Sequence, residues 1–417
     1  MEIKRDMYLN RLIRHKGNGM VKIITGVRRC GKSYLLFKLF RDHLIESGVA
    51  DDHIISIALD DFGNKALLNP DELYSYVKSR VTDGGNYYIL LDEIQLVADF
   101  ESVVNGFLHI PNADIYITGS NSRFLSTDII TEFRGRGDEI RVYPLCFSEF
   151  YTVFGGEFDK AWIMYCNYGG MPLCLSMQTQ ADKAAYLTNL FDTTYLADII
   201  NRNNLRGNVE INELTDILAS SIGSLTNPLK LSNTFASTKN VKLSANTIST
   251  YLDYLQDAFL IEKAVRYDIK GKKYINTPAK YYFVDLGLRN ARLSFRQQEY
   301  THIMENAIYN ELRLRGYSVD VGVVDNVGKE NGVSVRRRLE VDFVANLGNR
   351  RYYIQSAYNI PTEEKMKQEQ TSLLSINDAF RKIIIVNSPI LSGYNENGIL
   401  MLSLQDFLLD PEKAINL

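Results

Sequence analysis

Short runs of apolar and β-branched residues alternate with stretches of helical spacing over the first 155 residues. The run at residues 21–25 is followed by apolar residues at helical spacing over residues 34–40. Further apolar runs lie at residues 53–59, 87–91 and 114–118. This alternation is typical of a parallel β-sheet with helices on both faces. The sequence therefore predicts an α/β core for residues 1–155.

The pattern becomes helical over residues 156–207, which predicts a small helical domain. Residues 208–297 contain helical stretches, one of them opened by Ser244, whose hydroxyl suits a helix N-cap. A hairpin with a lysine-rich turn follows, with Lys270, Lys272 and Lys273 at its tip. Helices followed by a two-stranded wing predict a winged helix-turn-helix. Residues 298–417 form the last predicted domain, of mixed α/β pattern.

A phosphate-binding loop pattern lies between the first strand and the helix after it. Residues 26–33 read G-V-R-R-C-G-K-S and match G-x-x-x-x-G-K-[ST] in full. In such a loop, backbone N–H groups and the positive end of the following helix bind phosphate oxygens. The predicted nucleotide contacts are Gly26, Val27, Arg28, Arg29, Cys30, Gly31, Lys32, Ser33 and Tyr34. We therefore expect ATP to bind here, with Lys32 on the β- and γ-phosphates and Ser33 on Mg²⁺.

A second acidic motif ends the buried run at residues 87–91. Asp92 follows that run directly and is the second predicted Mg²⁺ ligand, and Glu93 is predicted to polarise the attacking water. Taken alone, an apolar run ending in Asp-Glu is often only a strand entering a turn. Its position roughly 60 residues after the phosphate loop favours the catalytic interpretation.

Two further catalytic candidates come from later segments. Ser120, with Asn121 as second choice, follows the run at 114–118 and could sense the γ-phosphate, although the same residues also fit a helix cap. Arg136, with Arg134 behind it, lies in a glycine-flanked loop and is predicted to supply a cation to the transferring phosphoryl group. A solvated loop arginine is the alternative interpretation.

These motifs together resemble the prokaryotic AAA-type (AAA_14-like) ATPases that carry a C-terminal DUF4143 region. The resemblance rests on the phosphate loop, L-L-D-E-I-Q, I-T-G-S-N-S, R-G-R with V-Y-P-L-C-F-S-E-F, and the Gly169-Gly170-Met171-Pro172 segment. It implies an ATPase core, a winged-helix module and a C-terminal domain related to restriction-type nucleases. The helical pattern of residues 156–207 fits a small lid that packs on the nucleotide.

The predicted C-terminal domain resembles PD-(D/E)xK nucleases with part of the site lost. The resemblance implies an Mg²⁺ ligand at Asp342. The helix at 302–312 puts Glu305 on its surface, and Glu305 and Asp342 could still bind a divalent ion weakly. The positions expected for the next acidic ligand and the catalytic lysine align with Gln355 and Ala357. Losing a carboxylate weakens metal binding. We therefore expect the fold without DNA cleavage.

Bulk properties limit the other function classes. The chain has 417 residues, 45% hydrophobic and 23% charged, and a net charge of −3, so no chain-wide basic field indicates nucleic acid. No apolar stretch approaches a membrane span, and the N-terminus lacks a signal-peptide pattern. Four cysteines show no C-x-x-C pairing, which favours reduced thiols in a cytoplasmic protein. They are Cys30, Cys146, Cys166 and Cys174.

Two function classes remain open at this point. The first is an ATPase whose nucleotide state controls a DNA-associated module, with duplex DNA bound through the winged helix and possible assembly into a homo-oligomer. The second is a nucleotide-gated switch that binds a protein partner and no nucleic acid. A small-molecule kinase fits less well, because the carboxylate pair and the long C-terminal extension suit an AAA-type ATPase better. No membrane partner is expected.

Overall fold

The structure is a computed structural model that describes residues 3–119, 133, 135–205, 209–238, 242–296, 299–330, 333–390 and 392–410. The chain divides into two compact units. The first comprises Met1–Pro144 and Asp257–Phe259, and the second comprises Leu145–Gln256 and Leu260–Leu417. This division is coarser than the four predicted domains, whose boundaries at 155, 207 and 297 stay predictions.

The first unit contains a five-stranded parallel sheet. Its strands are β1 (Val21–Thr25), β2 (Ile54–Ala58), β3 (Tyr87–Asp92), β4 (Ala113–Thr118) and β5 (Gly137–Arg141), in the order β2-β3-β4-β1-β5. All four neighbouring pairs are parallel. The apolar runs form the central strands because both sheet faces are covered, and every residue of β1 and β3 is buried. The predicted parallel α/β core is confirmed.

The α-helices described in this unit are α1 (Asp6–His15), α2, α3 (Pro70–Arg80) and α4 (Phe100–Phe107). Helix α2 runs as Lys32–Tyr34, a π-helical segment Leu35–Phe40, and Arg41–Glu46. Because parallel strands end at one edge of the sheet, the carboxyl ends of β1, β3 and β4 lie beside the start of α2. That edge therefore brings together the phosphate loop, Asp92 and Thr118.

The second unit begins with helices. They are α5 (Phe147–Phe154), α6 (Phe158–Tyr168), α7 (Pro172–Ser176) and α8, which runs as Gln180–Asn189, a π-helical segment Leu190–Leu196, and Ala197–Arg202. Phe147 on α5 and Trp162 on α6 belong to the same buried apolar cluster as Ile303 and Phe343 of the C-terminal part. The helices predicted as a lid therefore share an apolar core with the C-terminal part of the second unit.

Three helices and a hairpin come next. The helices are α9 (Val209–Ser220), α10 (Pro228–Thr238) and α11 (Ala245–Asp257), and the strands are β6 (Ile261–Asp268) and β7 (Lys273–Phe283). The predicted N-cap is confirmed, because the N–H of Thr247 donates to the Ser244 hydroxyl at 3.0 Å. The predicted apolar face of α11 is also buried, through Ile248, Leu252 and Leu255.

The hairpin is part of a larger sheet. That sheet has eight strands in the order β12-β13-β11-β10-β9-β8-β6-β7. Its other strands are β8 (Ser318–Glu330), β9 (Val333–Leu347), β10 (Arg350–Ala357), β11 (Arg381–Val386), β12 (Gly393–Tyr394) and β13 (Leu400–Ser403). Strand β6 pairs in parallel with β8 over residues 266–268 and 321–323. The hairpin therefore forms the edge of a sheet, where a separate wing was predicted.

The remaining helices are α12 (Leu286–Arg292), α13 (Tyr300–Leu314), α14 (Glu363–Leu374) and α15 (Leu404–Leu409). Helices α13 and α14 contribute to different apolar clusters of this sheet. Ile303 and Ile308 of α13 share a cluster with Phe343 and Ile354, whereas Leu373 of α14 shares one with Tyr353. Successive strand residues point to opposite faces, so the two helices cover the two faces.

All four cysteines are buried and free. No helix within the described part of the chain combines the length and the apolar character that crossing a bilayer requires.

Candidate functional site

The phosphate loop has the backbone that its two glycines permit. Gly26 has a φ of 138°, and a Cβ there would come within 2.1 Å of the Val142 carbonyl oxygen. Gly31 has a φ of 100° and is the N-cap of α2. Both conformations lie in the region that side chains avoid, so glycine is required at each position. The loop thus leads directly into the N-terminus of a helix, which favours anions.

Lys32 and its loop neighbours are held in place by backbone carbonyls. The Lys32 ammonium donates to the carbonyls of Gly26 at 3.0 Å and Val27 at 3.1 Å, and the residue is 4% exposed. Arg29 has a φ of 64° and is exposed, and Cys30 is fully buried. The loop is therefore folded around the ammonium that is predicted to contact phosphate.

Arg5 braces this loop from the N-terminal segment, a role that sequence reasoning missed. Its guanidinium donates to the carbonyl of Cys30 at 3.0 Å and to that of Tyr143 at 2.7 Å. The same guanidinium lies over the Tyr8 ring, 4.7 Å from its centre. No local signal marks Arg5, because its partners lie 25 and 138 residues further along the chain.

The two predicted Mg²⁺ ligands are brought together. Asp92, 4% exposed at the end of β3, is hydrogen-bonded by the hydroxyls of Thr118 and Ser33. Burial raises the pKa of Asp92, and the two hydroxyls work in the opposite direction. A hydroxyl and a carboxylate are hard oxygen donors of the kind that Mg²⁺ prefers, so this pair fits the ion.

Glu93 lies at the same edge with a strained backbone. It has a φ of 53°, and its N–H donates to the Thr118 hydroxyl at 3.0 Å. The side-chain amide of Gln95 donates to the Glu93 carboxylate. A left-handed conformation at a non-glycine residue persists where the surroundings impose it, often at functional sites. Thr118, the last residue of β4, thus contacts both acidic residues, and sequence reasoning passed over it.

Arg136 lies at the other end of the sheet. It precedes β5, and its carbonyl accepts from the N–H of Val21 at 2.7 Å, at the start of β1. Strands rise by about 3.3 Å per residue, so the backbone of Arg136 is roughly 15–20 Å from the phosphate loop of the same chain. Ser120, Asn121 and Arg134 lie outside the described residues.

The Gly169-Gly170-Met171-Pro172 segment packs against other backbone of the second unit. Gly170 donates to the Asp285 carboxylate at 2.6 Å, and its carbonyl accepts from Leu145 at 2.8 Å. A Cβ at Gly170 would lie 2.0 Å from the Leu145 oxygen, and one at Gly169 would lie 2.3 Å from Asp285. Close backbone approach therefore accounts for this motif.

A buried ion cluster occupies the carboxylate site predicted in the second unit. Glu305 is 6% exposed, so the prediction that it lies on the helix surface is wrong. The Lys280 ammonium contacts Glu305 at 2.8 Å, Glu340 at 2.7 Å and Asp342 at 3.9 Å. Glu305 is buried because this lysine, 25 residues earlier, pairs with it.

The predicted alignment of Gln355 and Ala357 with the second acidic ligand and the catalytic lysine of the nucleases is also wrong. The Gln355 amide oxygen accepts from Ser372 on α14 at 3.5 Å, and Ala357 packs in the cluster that contains Leu373. Both therefore face α14. Asp342 instead accepts from the N–H of Ser356 at 2.8 Å and meets Lys280 beside α13.

Exposed basic residues cluster at the edge where the hairpin meets β8 and β9. Lys270 donates to the Asp325 carbonyl at 2.6 Å, and Arg338 lies 3.6 Å from the Asp325 carboxylate. We define the basic edge as the exposed residues Lys270, Lys272, Lys273, Arg337 and Arg338. Basic side chains gathered in this way suit contacts with phosphates.

Two family profiles match parts of the chain. Residues 18–151 match the AAA domain family AAA_14, and residues 159–299 match a domain of unknown function, DUF8612. The AAA-type assignment is therefore confirmed. A DUF4143 region is not, since the matching profile beyond the AAA domain is a different one.

One solved structure with partial similarity is that of the Aeropyrum pernix ORC1 protein in complex with DNA. It covers 70% of this chain and 92% of that chain at 13% identity, with a TM-score of 0.29.

Two relatives match over nearly their whole length. An uncharacterized protein of Haemophilus influenzae is 36% identical over 98% of both chains. The uncharacterized protein MJ1544 of Methanocaldococcus jannaschii is 30% identical over 97% of this chain and 88% of its own length. The chain therefore belongs to the same family as these two proteins, with an AAA domain over residues 18–151.

Proposed function

We propose that this protein binds ATP and hydrolyses it at the carboxyl edge of the parallel sheet. One observation carries the proposal: the phosphate loop, Asp92, Glu93 and Thr118 meet at that edge, with Ser33 hydrogen-bonded to Asp92. An anion-binding loop alone would support nucleotide binding. The adjacent, ordered carboxylates support hydrolysis as well.

Each residue has a separate task in this proposal. The loop N–H groups and Lys32 hold the phosphates and favour negative charge as it develops. Ser33 and Asp92 would hold Mg²⁺, which neutralises phosphate charge when bound. Glu93 orients the attacking water and takes its proton, and Gln95 fixes the rotamer of the Glu93 carboxylate.

The arginine that completes the site comes from a second copy of the chain. Arg136 is exposed and lies at the opposite end of its own sheet. A cation that approaches the γ-phosphate raises the rate of hydrolysis by a large factor, and a neighbouring subunit can supply it. We therefore propose that active protein is a homo-oligomer with Arg136 acting in trans. Ser120 stays a proposed sensor of the γ-phosphate.

ATP binding in the first unit controls what the second unit binds. Two features support duplex DNA as that partner, the basic edge and the polar start of α11. At the start of α11, Asn246 and Thr250 are exposed, and Thr247 and Ser249 between them are partly buried. Three helices followed by a hairpin also suit a winged helix-turn-helix. The alternative, a protein partner, is favoured by one observation: β6 pairs with β8, so the hairpin is fixed in a sheet.

Steady-state ATP turnover by the purified chain tests the hydrolysis proposal. Glu93→Gln should leave ATP affinity unchanged and lower kcat on the order of 10²-fold, because only the group that activates water is lost. Glu72→Gln is the matched control, since Glu72 is exposed on α3 of the same unit. Normal turnover by Glu93→Gln would show that another residue is the base.

A further inference from the structure

Three carboxylates from two elements converge on one ammonium in the second unit. Lys280 comes from β7, Glu305 from α13, and Glu340 and Asp342 from β9. Lys280 is 3% exposed, and its ammonium lies 2.8, 2.7 and 3.9 Å from the nearest oxygens of Glu305, Glu340 and Asp342. Lys280, Glu305 and Asp342 are therefore buried together in one ion cluster, and Glu340, whose side chain is 36% exposed, closes it on the solvent side.

Other polar groups support the same carboxylates. The Tyr282 hydroxyl donates to the Glu305 oxygen that Lys280 also contacts, at 2.6 Å. His302 lies 3.8 Å from the other Glu305 oxygen, and Ser356 donates its N–H to Asp342 at 2.8 Å. A register irregularity between β8 and β9 lies beside Asp342. Such irregularities commonly re-aim a side chain.

The charge balance of the cluster depends on the lysine. Several carboxylate oxygens around one point are the ligands that a divalent cation prefers. Here the ammonium supplies the positive charge at that point. Burial works against the Lys280 charge, yet attraction by Glu305, Asp342 and Glu340 prevails and raises its pKa. Within the described ranges, no group of three His, Cys, Asp or Glu side chains is arranged to hold a metal ion.

We propose that Lys280 is a built-in cation that takes the place of a divalent metal in this carboxylate cluster. The cluster consequently binds no divalent metal, and it fastens the β6–β7 hairpin to α13 and β9. Three further contacts attach the hairpin to α13. The N–H of Phe283 donates to the Asn306 side-chain oxygen at 2.9 Å, the Asn306 amide donates to the Phe283 carbonyl at 2.8 Å, and Arg313 pairs with Glu262 at 2.8 Å. This inference is independent of ATP hydrolysis.

Thermal unfolding with and without Mn²⁺ tests this inference on the full, nucleotide-free chain. All variants carry Ser33→Ala, so that the phosphate-loop hydroxyl contributes no Mn²⁺ ligand. With Lys280 intact, millimolar Mn²⁺ should leave the unfolding midpoint unchanged. Lys280→Met should lower it by roughly 5–10 °C, because carboxylates are left buried without their partner. Lys273→Met is the matched control at an exposed lysine of the same hairpin.

Mn²⁺ should then restore part of the lost midpoint in Lys280→Met, and adding Asp342→Asn should abolish that restoration. The inference is overturned if Lys280→Met folds and does not respond to Mn²⁺, or unfolds at the same temperature as its parent. It is equally overturned if Mn²⁺ raises the midpoint of the chain with Lys280 intact and Asp342→Asn removes that rise. This last comparison decides the matter even where Lys280→Met fails to fold.

Discussion

Thr118 shows how a single hydroxyl can order two acidic residues. It donates to the Asp92 carboxylate and accepts from the N–H of Glu93, whose φ is 53°. The Ser33 hydroxyl, at the start of α2, is also hydrogen-bonded to the Asp92 carboxylate. Thr118 therefore holds the carboxylate of Asp92 and the backbone of Glu93, the residues predicted to bind metal and to activate water.

Gly170 lies where the second unit leaves no room for a side chain. We expect Gly170→Ala to lower the free energy of unfolding by about 3 kcal/mol, because its Cβ would lie 2.0 Å from a backbone oxygen. Urea unfolding measures the loss. Gly393→Ala is the control, since a Cβ there meets nothing within 4 Å. Equal stabilities for the two variants would mean that the backbone moves aside freely.

Asp285 makes stability depend on pH. Burial raises the pKa of Asp285 to about 6, although backbone N–H groups of Gly170, Leu288 and Gly287 work against the rise. A raised carboxyl pKa means that the folded state holds the proton more tightly than the unfolded state. Its contribution is thus fully present below about pH 4 and lost as pH rises through 6.

Asp285→Asn should remove this dependence, because an amide does not titrate. Relative to the variant, the wild-type free energy of unfolding should fall by about 2 kcal/mol between pH 4 and pH 7. Denaturant unfolding at a series of pH values measures the difference. Parallel pH profiles for the two proteins would exclude Asp285 as the source.

At the scale of elements, the β6–β7 hairpin differs most from its prediction. Its local pattern correctly predicts two strands and a turn, and Ser244 correctly marks the helix before it. Its pairing with β8 and the burial of Lys280 could not be predicted, because both partners lie tens of residues further along the chain. The phosphate loop could be predicted because all the residues that define it lie next to one another in the sequence, at 26–33.

The basic edge gives the hairpin a testable role. If the partner is duplex DNA, Lys272→Glu with Lys273→Glu should weaken binding at least about tenfold and reduce its salt dependence, because two phosphate contacts are lost. Mobility shifts over a range of salt concentrations measure both effects. Lys160→Glu with Lys367→Glu is the control, at exposed lysines on helices of the same unit. No binding by wild type at low salt would favour the protein partner.

In the whole molecule, we propose that each active site is built from more than one chain. Arg136 and the phosphate loop lie at opposite ends of β1 in one chain. The two ends of a parallel strand cannot meet within one chain, so the proposed role of Arg136 needs a neighbouring copy. The site of each chain would thus be incomplete until a second copy binds.

Mixing two inactive variants tests this arrangement. Arg136→Ala retains its own phosphate loop, and Lys32→Ala retains its arginine. Neither should hydrolyse ATP alone, whereas a mixture should regain roughly a quarter of wild-type turnover, since some sites combine an intact loop with an intact arginine. ATPase assays across mixing ratios measure this. Activity that never exceeds the sum of the separate variants would exclude Arg136 in trans.

Calorimetric titration of the nucleotide-free protein with MgATP tests directly whether the phosphate loop binds a nucleotide. We expect saturable heat for the wild-type chain. We also expect an affinity on the order of 10- to 100-fold lower for Lys32→Ala, whose ammonium would contact the phosphates. Lys38→Ala, an exposed lysine on the same helix, should bind like wild type. If folded wild-type protein gives no heat with MgATP, or Lys32→Ala binds equally well, the phosphate loop is not a nucleotide site.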